Sequence, residues 1–184
     1  MKTESTAMYV VRLAGILLLI TAIVALALAC VNQVTAPIIA QLNAEKTQQA
    51  IAAVLPGGYD EEITDYADAT SLVSKVYKGA NGYALEVKPS GFDNTITMMV
   101  GVGFDGNILG ISIVSHTETA GLGAVAAAKT SAGEAFRGQF VGASGSVLVT
   151  KDGGEIEAIT GATITSRAIC VGINAALDCV GGLG

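Results

Sequence analysis

Residues 71–114 read SLVSKVYKGANGYALEVKPSGFDNTITMMVGVGFDGNILGISIV. Four short runs within it, SLVSKVY, YALEVK, TITMMVGV and ILGISIV, are rich in Val, Ile, Thr and Tyr, the residues that suit a pleated, half-buried surface. Asn81-Gly82 and Asp105-Gly106 fall between runs, and both dipeptides tolerate the positive φ of a tight hairpin. The stretch predicts an antiparallel meander, and with it the class of the domain.

Downstream, the glycine-rich HTETAGLG (116–123) leads into the Ala-rich AVAAAKTSAGEAF (124–136), which predicts a helix. SVLVTK (146–151) and EIEAI (155–159) flank Asp152-Gly153-Gly154 and read as a further hairpin. A final helix is expected from about Thr163 to Val180, with Arg167, Asn174 and Asp178 on one narrow polar stripe and the rest apolar. Helices laid on a twisted antiparallel sheet make an α+β domain over 59–184. Its first residues, YDEEITDYADAT (59–70), are acidic and read as a solvated loop.

Upstream, LAGILLLITAIVALALACV (13–31) carries no charge and only Thr21 as a clearly polar side chain. About 20 such residues cross the ~30 Å hydrocarbon of a bilayer, so 13–31 is expected to be one transmembrane helix. Lys2 and Arg12 precede it and no Lys or Arg follows until Lys46, which predicts residues 1–12 in the cytoplasm and the remainder exported. A cleaved signal peptide, or a lipoprotein signal ending in ALAC at Cys30, shares the basic start. The run exceeds the ~7–15 apolar residues of a secretory core, which favours a retained anchor. Residues 32–58 are expected to form a connecting helix, with Pro37 in its first turn and Pro56-Gly57-Gly58 as its stop.

The chain's net charge is −6; residues 1–31 contribute Lys2, Arg12 and Glu4, leaving −7 on the rest. Nucleic acid and anionic membrane surfaces need clustered Lys and Arg, so neither is expected as a partner. The span has no carboxylate or histidine to mark an ion path, so any ion is moved by other chains. Cys170 and Cys179 are nine residues apart on one expected helix, too far along its axis to bond. With no C-x-x-C and His116 as the single histidine, zinc, iron–sulfur and c-type haem sites lack ligands, and a redox role needs an organic cofactor.

The stretch EAITGATITSRAICVGINAAL (157–177) puts Thr160, Thr163, Thr165 and Ser166 around Gly161-Ala162 at the entrance of the last helix. One hydroxyl suffices to cap a helix, for ~1 kcal/mol. The same free N–H groups and the helix dipole stabilise a phosphate, and Gly161 lets one approach the backbone. Cap and phosphate site both remain open on the residues alone. No P-loop lysine follows the glycine, which disfavours nucleotide hydrolysis.

TGATITS (160–166) resembles the flavinylation motif of the FMN-binding domain family, with Thr160 where many relatives have Ser. The stretch GFDNTITMMVGVGFDGNILGISIVSHTETAGLG (91–123) is similar to the other half of that domain in the RnfG family, the G subunits of Rnf electron-transport complexes, with Ala120 in place of a usual proline. The resemblance implies FMN joined through its phosphate to Thr165 by a flavin transferase. It implies Gly161, Ala162, Thr163 and Ser166 at the helix entrance, positioning or capping. It places Glu118, Thr119, Gly121 and Leu122 by the isoalloxazine ring, Gly121 and Gly123 leaving room for a flat ring and Leu122 offering an apolar face. Glu118 either biases the flavin's redox state or is an exposed loop acid, and Lys151 is a weak phosphate candidate.

The implied function is a single-pass subunit of the inner membrane, its flavin domain outside the cytoplasm. It passes electrons between other membrane and redox subunits of an Rnf-type ferredoxin:NAD⁺ complex that drives Na⁺ or H⁺ transport. The cofactor carries the redox chemistry, so no catalytic side chain and no metal is expected. Two alternatives stand: the C subunit of a sodium-pumping NADH:quinone oxidoreductase, and an anchored binding or scaffold module without redox activity.

Overall fold

The computed structural model describes residues 6–183; Lys2 and Glu4, used above for orientation and charge, lie outside them. The chain divides into two compact units, Met1–Glu45 and Lys46–Gly184. Helix α1, Thr6–Val54, runs unbroken through Pro37. The separate connecting helix expected to begin at that proline is therefore not present. Proline removes one N–H and leaves the Gln33 carbonyl without its helical donor, a local defect that a long helix can absorb. The expected stop is observed: the helix ends at Val54, and Gly57 and Gly58 follow with positive φ. Met8 to Leu42 is exposed along its length, as a bilayer-facing helix would be. Among the described residues, two helices are long and apolar enough to cross a membrane, α1 and the last helix, and the latter is more than half buried inside the domain.

Unit Lys46–Gly184 is built on a five-stranded antiparallel sheet in sequential order: β1 Glu61–Ile63, β2 Val73–Gly79, β3 Gly82–Val87, β4 Thr97–Gly103 and β5 Ile108–Ser115. The four expected strands are present, and both hairpin signals fall at turns. The acidic 59–70 loop contains one strand more, β1, which pairs Glu61 to Ile63 with Lys78 to Val76 at the sheet edge. Three residues with two carboxylates carry no readable alternation, and their pairing comes from the partner strand.

Side chains alternate between two cores, the period-2 signature of a strand. Val76, Leu85, Met98, Val100 and Val102 face one core, which α3 (Thr163–Gly181), α2 (Ser131–Gly138) and the turn after α2 close with Ile169, Ile173, Phe136 and Phe140. Tyr77, Ala84 and Met99 face the other, closed by Ala50, Ile51, Val54 and Leu55. Covered on both faces, β3 is buried at all six positions.

Two downstream expectations are corrected. The helix expected over 124–136 is a 3-10 turn, Gly123–Ala127, followed by the separate α2. Ala128 is extended and Thr130 starts a new helix, its Oγ1 accepting the Gly133 N–H at 3.3 Å. Arg137 Nη1 then ties the two pieces by donating to the carbonyls of Ala126 and Ala128. The hairpin expected around Asp152-Gly153-Gly154 is a 3-10 turn, Thr150–Asp152, with a single parallel bridge between Val149 and Ile156. Gly153, at φ +87°, folds the chain back so tightly that no ladder develops.

In α3 the polar stripe is present, but Ile164 and Val171 are exposed as well. Cys170 and Cys179 are buried, and burial pushes the Cys170 thiol up to about 11, which keeps it inert at neutral pH.

Candidate functional site

Four segments converge at the first turn of α3. Of the two readings of the hydroxyl cluster there, the cap is not observed: the N-cap residue is Ala162, with no side-chain cap. Ser166 N–H makes the first bond of the helix, to the Ala162 carbonyl, so the N–H groups of Thr163, Ile164 and Thr165 have no acceptor within the helix. Ser166, fully buried, is a fastener: Oγ donates to the Ala162 carbonyl and accepts the Ile159 N–H, both at 3.0 Å. Gly161, φ +76°, turns the chain into the helix, and a Cβ there would press on Leu122 Cδ2.

The loop after β5 brings Glu118 underneath. It is only 7% exposed, and Thr165, 1% exposed, donates its hydroxyl to Glu118 Oε2 at 2.5 Å. Glu118 Oε1 accepts the N–H of Phe92 at 2.9 Å and of Asp93 at 3.4 Å, from the loop between β3 and β4. Glu118 is thus neither an exposed loop acid nor a free carboxylate.

On the outer side, the Thr150–Asp152 turn presents Lys151, whose Nζ donates to Thr163 Oγ1 at 3.3 Å. Its neighbour Asp152 holds Arg167 through two bonds of 2.7 and 2.6 Å, fastening the turn to α3. That guanidinium keeps the Asp152 carboxyl below the usual carboxylate range.

These segments enclose a cavity of about 310 Å³. Of the nine expected site residues, Glu118, Thr119, Leu122, Gly161, Ala162, Thr163 and Thr165 line it. Gly121 lines a separate groove with Val125 and Phe136, and Ser166 lies beneath the helix entrance. Phe92 and Ile164 line the cavity without any sequence signal having pointed to them, while Gly123 of the glycine-rich loop and Lys151, the weak phosphate candidate, line it as well. Phe92 is 65% exposed in an irregular loop, a place where no periodicity marks an aromatic.

Chemically, three free N–H groups and one ammonium favour an anion at the helix start. Phe92, Leu122 and Ile164 beside them favour a flat apolar body. This pairing of a phosphate seat with an aromatic slot defines a cofactor-binding domain for a phosphorylated ring system.

Comparison with known proteins agrees. Residues 91–178 match the FMN-binding domain. The G subunit of the Na⁺-translocating ferredoxin:NAD⁺ oxidoreductase complex of Acetobacterium woodii is 35% identical over 92% of this chain and 90% of its own. The G subunit of the ion-translocating oxidoreductase complex of Methanosarcina acetivorans is 32% identical over 89% and 90%. The G subunit of the proton-translocating ferredoxin:NAD⁺ oxidoreductase complex of Clostridium ljungdahlii is 40% identical over about half of each chain. The chain belongs to the family of G subunits of ion-translocating oxidoreductase complexes, and an FMN-binding domain is its folded core.

Proposed function

We propose that this chain is the flavin-carrying subunit of a membrane ferredoxin:NAD⁺ oxidoreductase complex that drives ion transport, and that its FMN is joined by a phosphoester to a threonine at the start of α3. The carrying observation is the helix entrance itself, with its first N–H groups uncapped and Lys151 beside them. Relatives at about nine-tenths coverage of both chains support the assembly in which it works. They include Na⁺- and proton-translocating complexes, so either ion fits the reading.

The residues divide the work. The α3 N-terminus and Lys151 neutralise the phosphate. Leu122 and Ile164 flank the ring, and Gly161 lets the group approach the backbone. When bound, FMN supplies the electron-carrying chemistry, and the protein supplies orientation and electrostatics. An ester suits a domain outside the cytoplasm, where reversibly bound flavin is lost by dilution. A transferase installs it, and α1 anchors the product with the Arg12 end in the cytoplasm.

The resemblance assigns the ester to Thr165. Geometry supports Thr163 better: it is half-buried at the cavity mouth with its oxygen next to Lys151, whereas Thr165 is buried and its hydroxyl is committed to Glu118. We therefore assign the phosphoester to Thr163 and give Thr165 the role of a buried strut.

Intact mass and peptide mapping of protein from its own membrane test this. The expected gain is one FMN less one water, carried by the Thr163 peptide. Thr163→Val loses it and Thr165→Val keeps it. The reverse pattern moves the ester to Thr165, and an unmodified native chain removes the redox assignment.

A further inference from the structure

Glu118 is a buried carboxylate held by three hydrogen bonds, and nothing in electron transfer requires a carboxylate at that point. Its two oxygens reach segments that have no sequence proximity: Phe92 and Asp93 N–H on one side, Thr165 O–H on the other. Two glycines make the slot. A Cβ on Gly91 would meet Glu118 Oε1, and a Cβ on Gly123 would meet Glu118 Oε2 and lie 2.6 Å from Thr165 Oγ1. The loop carrying Phe92 is otherwise held by its own closure, Gly91 N–H to the Asn94 carbonyl and the Ser90–Thr95 bridge. Phe92 meanwhile stands 65% exposed at the cavity, where a buried position would be its ordinary place.

Resting on the flavin reading, we propose that Phe92 is an aromatic wall of the flavin site and that Glu118 is the positioning residue that holds it there. Acting through the Phe92 N–H, the carboxylate sets the distance from that ring to the first turn of α3, where the phosphate is fixed. An isoalloxazine tethered at that turn meets Phe92 in offset or edge contact, the arrangement aromatic pairs prefer. Glycine at 91 and 123 is needed because the carboxylate occupies the space a side chain would fill.

The chain contains no tryptophan, so Phe92→Trp creates a single indole reporter. Indole in contact with a flavin quenches its fluorescence by electron transfer. In full-length, flavin-labelled protein, Phe92→Trp should lose most of the native flavin emission, and unfolding in detergent should restore it. Adding Glu118→Ala should restore emission without unfolding. Adding Glu118→Gln should keep it quenched, because the amide oxygen can accept the Phe92 N–H while its NH₂ donates to Thr165.

Unquenched flavin in Phe92→Trp overturns the wall. Equal quenching with and without Glu118→Ala overturns the positioning role, as does equal release by Gln and Ala. Should Glu118→Ala not fold, Thr165→Val, which removes one of the strut bonds, is expected to give partial release, and no release counts against the proposal. In unlabelled Phe92→Trp protein, iodide access to the introduced indole should rise when Glu118→Ala is added. That reading survives even if the native chain carries no flavin, so the two failures are distinguishable.

Discussion

Val54, the last residue of α1, lies against Gly101 at the middle of β4, so close that a Cβ on Gly101 would meet the Val54 carbonyl. The register explains the fit. Ala84, Gly101 and Gly110 are opposite one another on β3, β4 and β5, a row of minimal side chains that forms a shallow channel across the sheet. Gly101→Ala should destabilise the domain by about 1–3 kcal/mol through overpacking. Gly138→Ala, where a Cβ meets nothing, should be nearly neutral. Denaturant unfolding followed by circular dichroism checks both, and equal midpoints would dismiss the channel.

The meander was legible because alternation and turn dipeptides are local signals, and the end of α1 was legible from Pro56-Gly57-Gly58. The channel was not, since a glycine in a strand announces a close approach without naming what approaches. The site was half legible for the same reason. Gly161 to Thr165 and Glu118 to Leu122 are compact motifs. Phe92 is held at the cavity by the hydrogen bonds of Glu118, and the turn that carries Lys151 by the Asp152–Arg167 pair, and both join segments far apart in sequence. The sequence offered four hydroxyls for a cap or a phosphate site, and the structure uses Ser166 as a fastener, Thr165 as a strut and none at the N-cap itself.

Asn174, from the polar stripe of α3, is the hold on the segment entering the Thr150–Asp152 turn. Its Oδ1 accepts the Val147 N–H at 2.8 Å and its Nδ2 donates to the Val147 carbonyl at 2.9 Å. Asn174→Ala leaves both backbone groups without these partners and should cost about 1–3 kcal/mol. Asp178→Asn, exposed on the same stripe, should stay within about 0.5 kcal/mol. Thermal unfolding of the two variants checks the contrast.

Acid should weaken the domain through Glu86 and Asp68. Burial pushes the Glu86 carboxyl up, but the Ser74 hydroxyl at 2.7 Å and the Lys88 ammonium at 3.0 Å outweigh it, and the net shift is downward from 4.5. Asp68 is likewise lowered from 3.8: slight burial opposes the shift, while the Thr70 hydroxyl and the Val73 and Thr70 N–H groups drive it. A carboxyl depressed in the folded state gives stability that is present above its unfolded value and lost as pH falls through its folded one. Unfolding midpoints should therefore hold near neutrality and drop below the 4.5 of free Glu. Ser74→Ala should lift the folded Glu86 value and shrink the drop. An unchanged acid limb in that variant would exclude Glu86 as its source.

Lys151 offers the most direct check on the phosphate seat. The Asp152–Arg167 pair pins its turn against α3, and its Nζ reaches Thr163 Oγ1, so its charge is delivered to the helix entrance by geometry. The side chain is exposed, and solvent screening limits such a contact to about 0.5–1 kcal/mol. Lys151→Met should then slow flavin attachment about two- to fivefold, while Lys129→Met, which is not among the residues lining the cavity, should leave it unchanged. A time course of intact mass during co-expression with the transferase reads this out. Because the variant removes charge and keeps most of the stem, an altered rate speaks for the ammonium. Equal rates in the wild type and Lys151→Met would leave the helix N-terminus as the sole anion partner in the site.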